Sequence, residues 1–156
     1  MQVTVHNRQK DLTISVRSLK KLVPIVLQEF AVRTDEVILQ FVSMRRIIEI
    51  HEAFFQDNSP TDCMTFPIDA SHAYTEGVYH LLGEVIICPK VAIVYAKTHH
   101  LDPHEETLLY VIHGLLHLFG YEDDDIASRK VMRHMEKRAL DAVQAFSLKT
   151  RTLHSV

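Results

Sequence analysis

Cysteine is scarce in this 156-residue chain: Cys63 and Cys88 stand alone in apolar segments. Without a CxxC pair they offer neither a disulfide framework nor a thiolate metal site, and a reducing cytoplasm suits them best. Both are read as small core residues. Long apolar runs are missing too, since none approaches the roughly 20 residues that span a bilayer. The N-terminus, MQVTVHNRQK, alternates polar and apolar residues and lacks the continuous apolar core of a signal peptide. Nor is there an excess of positive charge. The formal net charge is −3, whereas broad non-specific nucleic-acid binding needs a basic field, so any nucleic-acid contact must be local. Low-complexity tracts, repeats and linkers are also absent.

What remains is the composition of an ordinary globular protein, 47% hydrophobic and 24% charged. A chain of this length buries roughly two-thirds of its unfolded surface, so one domain over residues 1–156 is expected. Its one anomaly is histidine, with 11 residues.

Alternation in VTVHN predicts a first strand, and residues 18–31 carry Leu19, Leu22, Val23, Val26, Leu27 and Phe30 at helical spacing, with Pro24 as a possible kink. EVILQFVS reads as a strand, and SMRRIIEIHEAFF as a helix capped by Ser43. The turn cluster DNSPTD leads to a short strand, CMTFP, and GEVIICP is a buried-looking strand stopped by Pro89. Residues 91–100 should be helical. Asp102, Pro103 and Glu105 then supply an N-cap, an N1 proline and a capping-box acid for a helix running to Gly120, and a last helix spans about 126–146. Strands in the first half and helices in the second make the expected fold class α+β: one small mixed sheet packed against helices.

The helix ending at Gly120 is unusual. At 100° per residue, Glu106, Tyr110, His113, Gly114, His117 and Tyr121 share one stripe about 100° wide, while Leu108, Leu109, Val111, Ile112, Leu115, Leu116, Leu118 and Phe119 cover the rest. Such a helix is buried, so the stripe must face polar partners or a cleft. His113 and His117 stand four apart, about 6 Å at Cβ, which lets two imidazoles bind one ion. Short patterns arise by chance, and roughly 0.8 HxxxH pairs are expected at this histidine content. A second pair, His100 and His104, exists, but Pro103 keeps its members off a common helix face. The first pair continues as H-x3-H-x2-G-x2-D to Gly120 and Asp123, which lowers the chance expectation to roughly 0.004. A helix that stops at Gly120 and turns back can bring a third ligand from outside itself, leaving an open position on the ion. The metal site is thus expected at the C-terminal end of a central buried helix. The acids 122–125 can supply both a cap for the last helix and a ligand. By its offset from Gly120 Asp123 is the leading ligand, with Asp124 the alternative.

These residues also resemble a known family. HGLLHLFGYEDD is similar to the HGxLHLxGYDH signature of the YbeY endoribonucleases, SPTDCMTFP to that family's PTDVLSFP segment, and LLGEVIIC to its GDIxI strand. The resemblance spans about residues 50–135. It implies metal ligands at His113, His117 and Asp123, one zinc ion (Zn2+) per chain, and an α+β fold with the histidine helix under a small sheet. It further implies cleavage of single-stranded RNA and a place in 3′-end maturation of small-subunit ribosomal RNA and in ribosome quality control. Single-stranded RNA and the small ribosomal subunit are the expected partners, with neither DNA nor a membrane. Two positions depart from the family pattern. Its third ligand is histidine where this chain has Asp123, an oxygen donor that zinc accepts at similar length. Its arginine five residues before the PTD proline is here Phe55, removing a cation that could grip phosphate.

Two other functions compete. Metzincin proteases share the H-x3-H-x2-G spacing but need a glutamate after the first histidine, where this chain has Gly114. Gly114 would be explained by close approach of substrate or strand. The other is an RNA- or ribosome-binding module with a structural or vestigial metal, which the loss of arginine at Phe55 favours. In the last helix Arg129, Lys130, Arg133, His134, Lys137 and Arg138 form a basic band opposite Ile126, Val131, Met132, Met135 and Leu140. The band suits RNA or simply solvent. Thr61 and Asp62 could touch substrate or merely shape a turn. Tyr110 and Tyr121 read as packing residues, and the catalytic base is unidentified.

Overall fold

Four strands and five helices form along residues 1–150, the part described in the computed structural model: β1 (Gln2–Asn7), α1 (Val16–Glu29), β2 (Glu36–Phe41), α2 (Met44–Phe55), β3 (Cys63–Pro67), β4 (Leu81–Ile87), α3 (Pro89–His99), α4 (Pro103–Leu118) and α5 (Ile126–Ala142). The sheet order is β1-β2-β4-β3. β1 pairs parallel with β2 and β2 with β4, while β3 runs antiparallel to β4 along the edge. The mixed sheet and the α+β class match the sequence expectation.

Strand alternation divides the apolar residues between two layers. Val37, Leu39, Phe41, Val85 and Ile87 turn to the large core with α1 and α4. Ile86, Met64 and Cys88 turn the other way, under Ile47 and Ile50 of α2. Cys88 is therefore a core residue, as expected. The helix α4 lies against β3 and β4 on the large-core side, with α3 and α5 flanking it. Its Leu108, Val111, Ile112, Leu115 and Leu116 are all buried, each contributing about 1.5–3 kcal/mol.

Boundaries moved where capping outweighed periodicity. α1 starts at Val16, ahead of residue 18, because the Ser15 hydroxyl caps it, accepting from the Ser18 N–H at 3.2 Å. Pro24 lies inside α1 without ending it. A mid-helix proline costs about 3 kcal/mol, less than the burial of Leu19, Leu22, Val23, Val26 and Leu27 returns at about 1.5–3 kcal/mol each. Pro89 is the first residue of α3, while the strand before it already ends at Ile87, with Cys88 as the helix N-cap.

The expected apolar face of α5 needs correction. Ile126 is 80% exposed and Val131 46%, while Met132 and Ala139 are buried. At 100° per residue Ile126 and Val131 lie about 100–120° round the helix from Met132, on its flanks. α5 also ends at Ala142, short of residue 146.

Candidate metal centre

Local sequence explains how α4 is positioned. Asp102 caps it, accepting from the His104 N–H at 2.8 Å, and Pro103 opens its first turn. Its far end stops in a Schellman motif: the Gly120 N–H donates to the His117 carbonyl and the Tyr121 N–H to the Leu116 carbonyl, with Gly120 at φ +103°. A side chain would strain that φ, so glycine is what lets the chain reverse there. The helix proper ends two residues before Gly120, and the reversed segment brings Asp123 back across the imidazoles.

Three ligand-type atoms then converge. His113 Nε2 and His117 Nε2 are 3.0 Å apart, and Asp123 Oδ2 lies 3.3 Å from the first and 3.5 Å from the second. Such a His–His–Asp group could hold a metal ion. Two atoms bonded to one tetrahedral zinc at about 2.0–2.1 Å sit about 3.3 Å from each other, so the triangle matches one face of that coordination. The imidazoles are about one-fifth exposed and Asp123 is 40% exposed, which leaves the group open on one side.

Carboxylates surround the centre. Glu136 of α5 accepts from His113 Nδ1 at 2.9 Å, and this bond, working against desolvation, holds the His113 pKa above its ordinary value. Burial pushes the Cys63 thiol well up, with help from Asp62, Asp123 and Glu136. Burial likewise raises Glu106, and raises Tyr110, where Glu106 and Asp62 add to the effect. This field repels phosphate unless a cation offsets it.

The remaining candidates fall outside this triangle. Asp124 only approaches the Ser128 hydroxyl at 3.3 Å, while Asp125 is the N-cap of α5, in a capping box with Ser128. His104 instead bonds the Thr13 carbonyl, and His100 caps α3 in the left-handed region. Gly114 turns its Cα to Val85 of β4, so a strand, not a substrate, accounts for it. Tyr110 is buried, and Tyr121 packs edge-on against Phe30. Thr61 and Asp62 shape the turn into β3, where Asp62 Oδ1 accepts from the Cys63 N–H at 2.7 Å and its carbonyl from the Cys88 N–H at 3.0 Å. Phe55 is 61% exposed at the end of α2. Sequence reading passed over Glu136 and the carboxylates' effect on Cys63. The available signal was that Glu136, an acid in a basic helix, stands four residues after the core-facing Met132.

Comparison with known proteins shows which family the chain resembles. The family profile described as Endoribonuclease YbeY matches residues 4–144. The chain is 39% identical over 146 residues to Endoribonuclease YbeY of Protochlamydia amoebophila, covering 94% of this chain and 95% of that one. It is 41% identical over 143 residues to Endoribonuclease YbeY of Chlamydia caviae, with 90% and 89% covered. The solution structure of a Thermotoga maritima protein superposes with a TM-score of 0.62 at 27% identity, covering 92% of this chain and 90% of that one. With its profile match, its relatives and its reversed histidine helix in agreement, the chain belongs to the YbeY endoribonuclease family.

Proposed function

We propose that residues 1–156 act as one metal-dependent hydrolase-like domain, an endoribonuclease specific for single-stranded RNA. Its place would be 3′-end maturation of small-subunit ribosomal RNA and ribosome quality control, in the cytoplasm. The carrying observation is the triangle of His113 Nε2, His117 Nε2 and Asp123 Oδ2, whose 3.0–3.5 Å edges suit one small cation. In this reading the three residues are the ligands of one zinc ion per chain, and the sites beyond them are left to water and substrate.

When bound, the ion would supply positive charge for a phosphoryl oxygen and lower the pKa of a coordinated water toward about 7. The two imidazoles contribute neutral donors and Asp123 one negative charge, so a divalent ion with these three ligands alone would carry one net positive charge. Arg129, Lys130, Arg133 and Lys137 are exposed along α5 and engage in no ion pair among the described residues. They are suited to backbone phosphates, whereas Arg138 is already committed to Glu29 and the Phe30 ring. Among the described residues no helix is long and apolar enough to cross a membrane.

Peptide hydrolysis is disfavoured by geometry: position 114, where metzincins carry their glutamate base, faces Val85 rather than the triangle. The non-catalytic binding module draws on Phe55 standing where a phosphate-gripping arginine would be. A chelator-reversible assay against single-stranded RNA, DNA and casein separates the readings. The proposal expects RNA cleavage that stops with chelator and returns with zinc. Casein cleavage would establish the protease, and metal-dependent RNA binding without cutting would establish the module.

A further inference from the structure

We infer that Glu136 is a positioning residue: its carboxylate keeps His113 in the Nδ1–H tautomer and turns the bare Nε2 toward the ion. This rests on the ligand assignment proposed above. Glu136 Oε1 lies 2.9 Å from His113 Nδ1, and a carboxylate can only accept, so the hydrogen sits on Nδ1. The opposite ring nitrogen, Nε2, is the atom that meets His117 at 3.0 Å and Asp123 at 3.3 Å. One hydrogen bond therefore sets both the ring's rotation and which nitrogen keeps its lone pair. Histidines that bind metals commonly need such an outer partner, whose loss weakens the ion about 10–100-fold.

A simple tie between α4 and α5 would not call for this residue. α5 is already held by Met132 and Ala139, both buried, and by its Asp125 cap. The Glu136 side chain is only 16% exposed, and burying a charge for docking alone is inferior to packing a leucine there. Glu136 is also the core-facing acid in a helix whose exposed band is basic, and it reaches the imidazole from the side opposite the triangle. It therefore orients His113 without occupying the open side of the centre.

The test uses the full chain without metal, with histidines labelled by nitrogen-15, and reads the ring tautomers by long-range NMR correlation at mildly alkaline pH. Zinc affinity is then measured by competition with a chromophoric chelator. The wild type should show His113 as Nδ1–H. Glu136→Leu should move it toward Nε2–H and weaken zinc about 10–100-fold without lowering the thermal midpoint. Glu136→Gln, whose amide oxygen still accepts, should restore the wild-type tautomer and most of the affinity. A wild-type tautomer and affinity in folded Glu136→Leu would overturn the inference, as would an Nε2–H ring in the wild type. His117→Ala reads the ligand assignment separately: undiminished zinc binding there overturns that assignment, and this inference with it.

Discussion

Gly114 of α4 meets the Val85 side chain of β4 so closely that a methyl group placed on the glycine would overlap Val85 Cγ1. The contact seats the helix on the sheet one residue after His113, so it also sets the height of the His–His–Asp triangle. Alanine is the better helix former by about 1 kcal/mol, but overpacking against a stiff β-branched neighbour costs about 1–3 kcal/mol. Gly114→Ala should therefore destabilise the protein in denaturant melts. In a Val85→Ala background the same change should stabilise it, because the methyl then has room. A stabilising Gly114→Ala in the otherwise wild-type chain would contradict the close approach.

Asp123 and its neighbours separate ligand from cap. Asp123→Ala should weaken metal binding by several kcal/mol, as expected when a charged partner is removed from a partly buried site. Asp123→His should retain the ion, since imidazole is an equally suitable zinc donor. Asp124→Ala should change neither metal affinity nor the α5 cap, because its carboxylate reaches only the Ser128 hydroxyl. Calorimetric titration of the three variants checks all three outcomes, and loss of the ion in Asp124→Ala alone would shift the assignment by one residue.

At Phe55, exposed at the end of α2, an arginine can be introduced without disturbing the core. If the position faces the scissile backbone, Phe55→Arg should raise the RNA cleavage rate while leaving metal content unchanged, because a guanidinium can grip phosphate in two-point fashion. An unchanged rate in the folded variant would remove Phe55 from the substrate path.

Acid should loosen α5 at its start. Hydrogen bonds from the Ser128 backbone and hydroxyl hold the Asp125 pKa below the ordinary carboxylate value. A depressed folded-state pKa gives stability that is present above about pH 4, the unfolded value, and is lost as pH falls through the folded one. Asp125→Asn caps without titrating. Thermal melts from neutral to strongly acid pH should show the wild type losing its advantage over Asp125→Asn as pH falls, and parallel curves would refute the cap's role.

Much of this was legible in the sequence. β3 could be read to the residue, since Cys63–Pro67 lies between a turn cluster and a proline. The Gly120 reversal followed from a glycine placed after an apolar helix, and the meeting of the His113 and His117 imidazoles from their spacing. The hidden parts depend on other segments. Gly114 looked like part of a polar stripe because periodicity says where a residue points, not that Val85 comes so near. Glu136 was obscured by the basic residues around it, and its partner is 23 positions away. The face of α5 was misplaced because Ile126 and Val131 are apolar yet lie on its flanks, where exposure of single hydrophobic residues is ordinary.

Metal analysis of the purified chain beside His117→Ala reads out whether His113, His117 and Asp123 hold the ion on which RNA cleavage depends. Each sample is also assayed on single-stranded RNA after equilibrium dialysis against zinc. The wild-type chain should hold one ion and cut RNA, and folded His117→Ala should do neither. A wild-type chain without stoichiometric metal that still cuts RNA, or a His117→Ala variant that keeps the ion, would contradict it.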